Sequence, residues 1–116
     1  MTDVDWETWL LEDASPPIIE KMTDRGEDAL SPIERLTYCV WVADYGMRNA
    51  GDLETAADLH PQFKPEAAAI AASLQLSKTT ELFNLSDDEL EQVYFDRFDE
   101  LCTEISEALG VPPQIN

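Results

Sequence analysis

The segment SPIERLTYCVWVADYGMRNAG, residues 31–51, contains the signals that decide the fold of this chain. Ser31 is a favoured N-cap residue, Pro32 suits the first helical position, and Glu34 is placed to complete a capping box. Gly51 is predicted to end the helix, because glycine is the usual residue just past a helix C-terminus. Between these ends the apolar residues recur at three- and four-residue steps: Ile33, Leu36, Val40, Ala43 and Met47. This spacing predicts one central helix.

A second, longer helix is predicted near the end of the chain. Ser86-Asp87-Asp88-Glu89 forms another capping box, and Gly110 followed by Pro112-Pro113 ends the segment. One face of this helix is apolar and is formed by Leu90, Tyr94, Phe98, Leu101, Ile105, Ala108 and Leu109. The segment is also strongly acidic, so we expect a long acidic C-terminal helix.

Shorter helices fit the remaining sequence. We predict them near residues 6–13, 17–28, 53–59, 65–76 and 78–83, the fourth rich enough in alanine to approach a neighbour closely. No stretch alternates between apolar and polar residues with a period of two, so no strand is predicted. Residues 1–116 are therefore predicted to form one all-α domain, a compact bundle of five to seven helices.

The charge of the chain excludes several classes of protein. There are 25 acidic residues against 7 basic ones, for a net charge of −18. Direct binding to nucleic acid or to an anionic membrane needs Lys and Arg, so both are excluded. No apolar run approaches the ~20 residues of a membrane span, and no basic signal region begins the chain. We expect a cytoplasmic protein.

The acidic excess is concentrated in two parts of the chain. Residues 1–34 carry a net charge of −8 and residues 81–107 carry −9, whereas residues 35–80 are nearly neutral at −1. Both acidic parts also contain many aromatic and aliphatic residues. A solvating acidic tail lacks such residues, so both parts are expected to be folded.

The predicted C-terminal helix has a charge density close to that of a DNA strand. Residues 86–109 carry nine acids and one base. This is one net negative charge per ~4.5 Å, against ~3.4 Å per phosphate along one strand. We therefore predict a partner-binding surface at Asp88, Glu91, Asp96, Asp99, Glu100, Glu104 and Glu107. A second row is predicted at Asp24, Glu27 and Asp28. The alternative is that these acids only keep the domain soluble.

No catalytic, cofactor or metal motif stands out. The start of a calcium loop at residues 3–7 lacks the glycine and the final glutamate that such loops need. Glu100, Glu104 and Glu107 resemble a Mg²⁺ site of a nucleotide hydrolase, but too few basic residues accompany them to grip phosphates. Pairing His60 with Cys39 or Cys102 has no motif support, and both cysteines are expected to be buried, reduced thiols. We predict no enzyme, cofactor or metal.

The first predicted helix has an apolar face formed by Trp6, Trp9 and Leu10. Such a face either packs on its own domain or is offered to a partner, and we favour packing. A role in stacking nucleic-acid bases would need surrounding positive charge, which is absent here.

From Leu30 onward the sequence resembles a bacterial family of small acidic domains named for a DNA-mimic protein. The resemblance spans most of residues 30–109. It rests on five segments: residues 30–38 (LSPIERLTY), residues 41–45 (WVADY) with Asn49 and Gly51, the alanine-rich residues 67–74, residues 85–90 (LSDDEL), and the Tyr94-Phe95 pair in an acidic helix. The resemblance implies an all-α fold and, for the namesake of the family, binding to a DNA-binding protein in place of DNA.

These observations lead to one interpretation and three alternatives. We interpret the chain as a non-enzymatic DNA mimic that occupies the basic DNA-binding surface of a partner and inhibits or regulates it. The partner is a repressor, a nucleoid protein, a nuclease or a defence complex. Whether this chain also forms a homodimer is left open by the sequence. The alternatives are an immunity or antitoxin protein that neutralises a basic toxin, a Mg²⁺-dependent all-α nucleotide hydrolase, and a halophile-like use of acids for solubility.

Overall fold

The computed structural model describes residues 4–113, and their secondary structure is helical with no strand. The helices are α1 (Trp6–Thr8), α2 (Ser15–Arg25), α3 (Pro32–Ala50), α4 (Glu54–Leu59), α5 (Phe63–Ser73), α6 (Ser77–Phe83) and α7 (Asp87–Leu109). A π-helical segment, Trp9–Ala14, joins α1 to α2, and a 3-10 turn, Glu27–Ala29, precedes α3. The predicted all-α bundle is confirmed.

The two predicted helix starts are confirmed at the level of hydrogen bonds. The Ser31 hydroxyl accepts from the Glu34 backbone N–H at 3.4 Å, and the Ser31 backbone N–H donates to Glu34 Oε1 at 2.8 Å. At the start of α7, the Ser86 hydroxyl accepts from the Glu89 N–H at 3.3 Å. The reciprocal bond to Glu89 comes from the Ser86 hydroxyl rather than from its backbone N–H. Local capping chemistry therefore sets both starts.

The core lies where α3 and α7 meet the shorter helices. Leu36 and Val40 of α3 and Leu101 and Ile105 of α7 are fully or almost fully buried. The alanine-rich α5 fits closely against this core, because Ala67 and Ala71 have no exposed surface. Cys39 and Cys102 are buried free thiols, as predicted.

The apolar face of the first helical segment packs on the domain, as predicted. Trp9 and Leu10 are buried, and Trp6 packs against the core with its ring 5.5 Å from that of Trp9. The indole N–H of Trp9 donates to the carbonyl oxygen of Val111 at 2.8 Å. This bond holds the start of the described chain against the segment that follows α7.

The predicted break between residues 13 and 17 is wrong. The backbone stays helical from Trp6 to Arg25, and Pro16 and Pro17 lie in the first turn of α2. Proline is tolerated there because the α-helical hydrogen bonds of α2 begin anew after the π-helical segment, so its first turn needs no N–H donors of its own. The segment also ends earlier than residue 28, because Gly26 adopts a φ of 90°.

Candidate functional site

The solvent-facing side of α7 carries a row of carboxylates. At 100° per residue, Asp96, Asp99 and Glu107 lie opposite the buried side chains of Leu101 and Ile105. From residue 88 to the end of α7, the exposed acidic residues are Asp88, Glu89, Asp96, Asp99, Glu100 and Glu107. We call this set the α7 acidic face. Five of its members were predicted from the sequence, and Glu89 was not.

Two predicted members of the row, Glu91 and Glu104, are turned towards neighbouring helices. Glu91 accepts a hydrogen bond from the backbone N–H of Leu53 at 2.8 Å, just before α4. Glu104 accepts from the backbone N–H groups of Lys78 and Thr79 at 3.2 and 2.7 Å, in the first turn of α6. Both carboxylates satisfy N–H groups that a helix start leaves without partners. One oxygen of Glu91 and both oxygens of Glu104 therefore already have partners in the fold.

Basic side chains approach the α7 acidic face at one edge. Arg97 lies 3.3 Å from Glu81 and 3.5 Å from Glu100. Lys78 lines a surface groove together with Asp99, Glu100 and Glu107. Asp96, Asp99 and Glu107 form no ion pair with any side chain in residues 4–113. With Asp88, which is also exposed and forms no ion pair among these residues, they are the carboxylates most available to a partner.

The second predicted row, at residues 24, 27 and 28, is exposed but lies at the other end of α3. Arg35, in the first turn of α3, donates to the carbonyl oxygen of Glu27 at 3.4 Å. Arg48, in the last turn, lies 5.1 and 5.0 Å from the ring centres of Phe95 and Phe98 in α7. The two arginines are about 20 Å apart along the helix axis. Among residues 4–113, no hydrogen bond or ion pair links the second row to the α7 acidic face.

A buried polar cluster holds α7 against α3 behind the acidic face. Asp44 is only 1% exposed and accepts a hydrogen bond from the Tyr94 hydroxyl at 2.8 Å. The Nε atom of Arg48 lies 3.0 and 2.9 Å from its two oxygens. Burial raises the pKa of Asp44 above its usual value, while the bonds to Tyr94 and Arg48 act in the opposite direction. The cluster joins the middle of α7 to the last turns of α3.

A second cluster brings together residues that the sequence analysis set aside. Cys39 of α3, His60 before α5 and Glu66 of α5 each offer one ligand atom, and these atoms lie within 4.8 Å of one another. His60 Nε2 is 3.0 Å from Glu66 Oε2. The other oxygen, Oε1, accepts from Arg35 Nε at 2.8 Å.

Burial is the main influence on the pKa of the thiol in this cluster. The burial of Cys39 raises its pKa to about 12. Burial also acts to raise the pKa of Glu66, but the hydrogen bonds from His60 and Arg35 outweigh it and lower that pKa. Sequence reasoning missed the cluster because Cys39 and His60 are far apart in the chain and match no metal or catalytic motif. Only the packing of α3 against α5 brings them together.

No protein-family model matches this chain, and no curated protein or solved structure is significantly similar to it. Within residues 4–113, no helix combines the length and the apolar character that crossing a bilayer requires. The fold and the surface define a small, acidic, all-α domain. A fold of this kind supports many functions, so function is inferred from the sites themselves.

Proposed function

We propose that this protein is a non-enzymatic DNA mimic. Its α7 acidic face occupies the basic DNA-binding surface of a partner protein and thereby inhibits or regulates that partner. The partner is a DNA-binding protein such as a repressor, a nucleoid protein, a nuclease or part of a defence complex. The resemblance of residues 30–109 to the bacterial DNA-mimic family supports the same proposal and suggests a bacterial cytoplasm as its setting.

The observation that carries this proposal is the set of unpaired carboxylates on one rigid helix. Asp96, Asp99 and Glu107 are exposed and make no ion pair within the described residues. With Glu100 they place four carboxylates along about 17 Å of helix axis, one every 5 to 6 Å. This density is lower than the sequence predicts, because Glu104 faces α6. It remains within a factor of two of the ~3.4 Å per phosphate along one DNA strand.

The way in which α7 is held also supports the proposal, because a DNA strand presents its phosphates at defined spacings. Ser86 caps the start of α7, and Gly110 ends it in the left-handed conformation with a φ of 77°. Tyr94 is hydrogen-bonded to the buried Asp44, and Glu104 is bonded to α6. A rigid row of charges loses little conformational entropy when Arg and Lys side chains of a partner bind to it.

The proposal predicts fast, salt-sensitive association with a basic surface. The net charge of −18 creates a long-range negative potential that steers basic surfaces towards the protein. Charge steering of this kind weakens as ionic strength rises, because the Debye length falls to about 8 Å at physiological salt. The affinity for the partner should therefore fall steeply with salt.

The experiment begins with capture of the partner from native lysate on the immobilised protein, followed by elution in a salt step. The captured protein is then bound to duplex DNA, and its release from DNA is measured as this protein is added. The test variant carries Asp96→Asn, Asp99→Asn and Glu107→Gln. The control variant carries Glu12→Gln, Glu54→Gln and Asp58→Asn, three exposed acids on other helical segments.

Both variants change the net charge by the same amount, so they separate the position of the charge from its total. We expect the test variant to lose at least tenfold in DNA displacement and the control variant to stay within about twofold. If the partner binds DNA equally well in the presence of the wild-type protein, the proposal of mimicry is wrong. Equal loss in both variants would show that only total charge matters.

A specific inhibitor of one basic toxin is the second candidate, and two exposed aromatic residues favour it. Phe95 is 48% exposed and Tyr45 is 44% exposed, and aromatic side chains are frequent anchors of specific interfaces. The buried Trp9 is unsuited to this role. In such an inhibitor, Phe95→Ala would weaken partner binding more than the triple acidic variant does. The reverse order is expected for a DNA mimic.

A further inference from the structure

We propose that Cys39, His60 and Glu66 form a binding site for a transition-metal ion of the zinc class. The site goes beyond the proposed function, since none of these residues belongs to the α7 acidic face. A thiolate, an imidazole and a carboxylate are ligands that zinc accepts together. Mg²⁺ and Ca²⁺ prefer oxygen ligands alone, so the thiol and imidazole favour zinc over both.

The separation of the ligand atoms suits a tetrahedral ion. In such a site, ligand atoms at normal bond lengths to zinc lie about 3.4 to 3.6 Å apart. His60 Nε2 and Glu66 Oε2 are 3.0 Å apart, and all three ligand atoms lie within 4.8 Å of one another. Shifts of about 1 Å in the positions of the ligand atoms, which side-chain rotations can supply, therefore complete the tetrahedral arrangement. Three protein ligands leave one position for water or another small ligand.

The residues around the cluster orient two of the ligands. Arg35 binds Glu66 Oε1 through Nε at 2.8 Å and leaves Oε2 directed at His60. The ring of Tyr38 meets the ring of His60 edge to face, with centres 5.6 Å apart. Metal sites depend on such supporting contacts to fix the direction of each ligand. Here the contacts are already present.

The cluster lies at the border between the core and solvent. The side chains of His60 and Glu66 are 17% and 20% exposed, whereas Cys39 has no exposed surface. An ion bound here would join α3 to α5 through the segment that carries His60. It would stabilise the folded state according to its affinity, because the ligands come together only on folding.

The test uses Co²⁺ as a spectroscopic probe on the full, reduced chain, with excess Mg²⁺ present to occupy surface carboxylates. Coordination by Cys39 is expected to produce a thiolate-to-cobalt absorption band at one equivalent of Co²⁺, and added Zn²⁺ should displace it. Cys39→Ser should abolish the band. Cys102→Ser is the matched control, because Cys102 is the other buried free thiol, and it should retain the band.

A second variant covers the case in which Cys39→Ser does not fold. His60→Ala removes a partly exposed side chain, and its helical circular dichroism reports whether the fold is kept. We expect its Zn²⁺ affinity, measured against a chromophoric chelator, to fall at least tenfold. The proposal is overturned if the wild-type protein shows no thiolate–cobalt band. It is also overturned if folded His60→Ala binds Zn²⁺ as tightly as wild type.

Discussion

The Oε1 atom of Glu104 accepts two hydrogen bonds from Thr79, one from the backbone N–H and one from the hydroxyl, each of 2.7 Å. The two residues belong to α7 and to the first turn of α6. A carboxylate at the start of a helix satisfies unpaired N–H groups and interacts favourably with the helix dipole. Glu104 therefore acts as a cap supplied by another helix, although its sequence position is that of a surface acid.

The role of Glu104 leads to a prediction about stability. Glu104→Ala should lower the free energy of unfolding by about 1–2 kcal/mol, because the N–H groups at the start of α6 lose their acceptor. Glu107→Ala is the control, since Glu107 is exposed, and it should change stability by less than about 0.5 kcal/mol. Urea denaturation measures both. Equal values for the two variants would contradict the capping role.

A second prediction concerns the hydrogen bond between Tyr94 and Asp44. Tyr94→Phe should cost about 1–3 kcal/mol of unfolding free energy, because the buried Asp44 carboxylate loses a donor at 2.8 Å. Tyr45→Phe removes the same hydroxyl from a side chain that is 44% exposed, and it should be close to neutral. Thermal and urea denaturation of both variants test this difference. A neutral Tyr94→Phe would show that the bond contributes nothing to stability.

A third prediction concerns the close approach of α3 and α4 at Gly46. A Cβ atom at this position would lie 2.8 Å from the Asp52 carbonyl oxygen and 2.9 Å from the Ala56 nitrogen. Alanine is the better helix former by up to ~1 kcal/mol, but these are backbone atoms that cannot move aside alone. Gly46→Ala should therefore destabilise the fold by about 1–3 kcal/mol.

A double variant separates backbone from side-chain crowding at Gly46. Ala56→Gly removes only the Cβ contact at 3.1 Å and leaves both backbone contacts in place. It should therefore not rescue Gly46→Ala in a denaturation experiment. Full recovery of stability in the double variant would show that the side chain of Ala56 causes the crowding.

A fourth prediction concerns pH and the capping box of α3. The hydrogen bond from the Ser31 backbone lowers the pKa of Glu34 below its usual value, with a further contribution from Lys21 at 3.0 Å. A carboxylate with a lowered folded-state pKa stabilises the fold above its unfolded pKa and loses that contribution as pH falls through the folded value. The stability difference between wild type and Glu34→Gln should therefore be largest near pH 7 and shrink towards pH 3.

Denaturation midpoints measured across this pH range test the prediction. Glu12→Gln serves as the control, because Glu12 is exposed and forms no ion pair within the described residues. Its stability difference from wild type should stay small throughout. A Glu34→Gln difference that is constant with pH would mean that the charge of Glu34 does not contribute.

Local sequence signals predicted the ends of the two long helices well. Ser31 and Ser86 begin α3 and α7, and Gly51 and Gly110 end them in the left-handed conformation. Each signal involves residues within one helical turn of one another, so it can be recognised without knowing the fold. The continuity of the helical backbone from Trp6 to Arg25 was not predicted, because it depends on the π-helical segment Trp9–Ala14 that joins α1 to α2.

The amino-acid sequence by itself determined the all-α class, the two long helices and the acidic character of the last one, because these depend on periodicity, capping and composition. Only the tertiary structure decided which carboxylates face solvent. Glu91 and Glu104 bind helix starts on other segments, whereas Asp96 and Asp99 stay exposed. The tertiary structure also brought Cys39 to His60. Such pairings depend on how helices pack across long sequence separations, which no local pattern encodes.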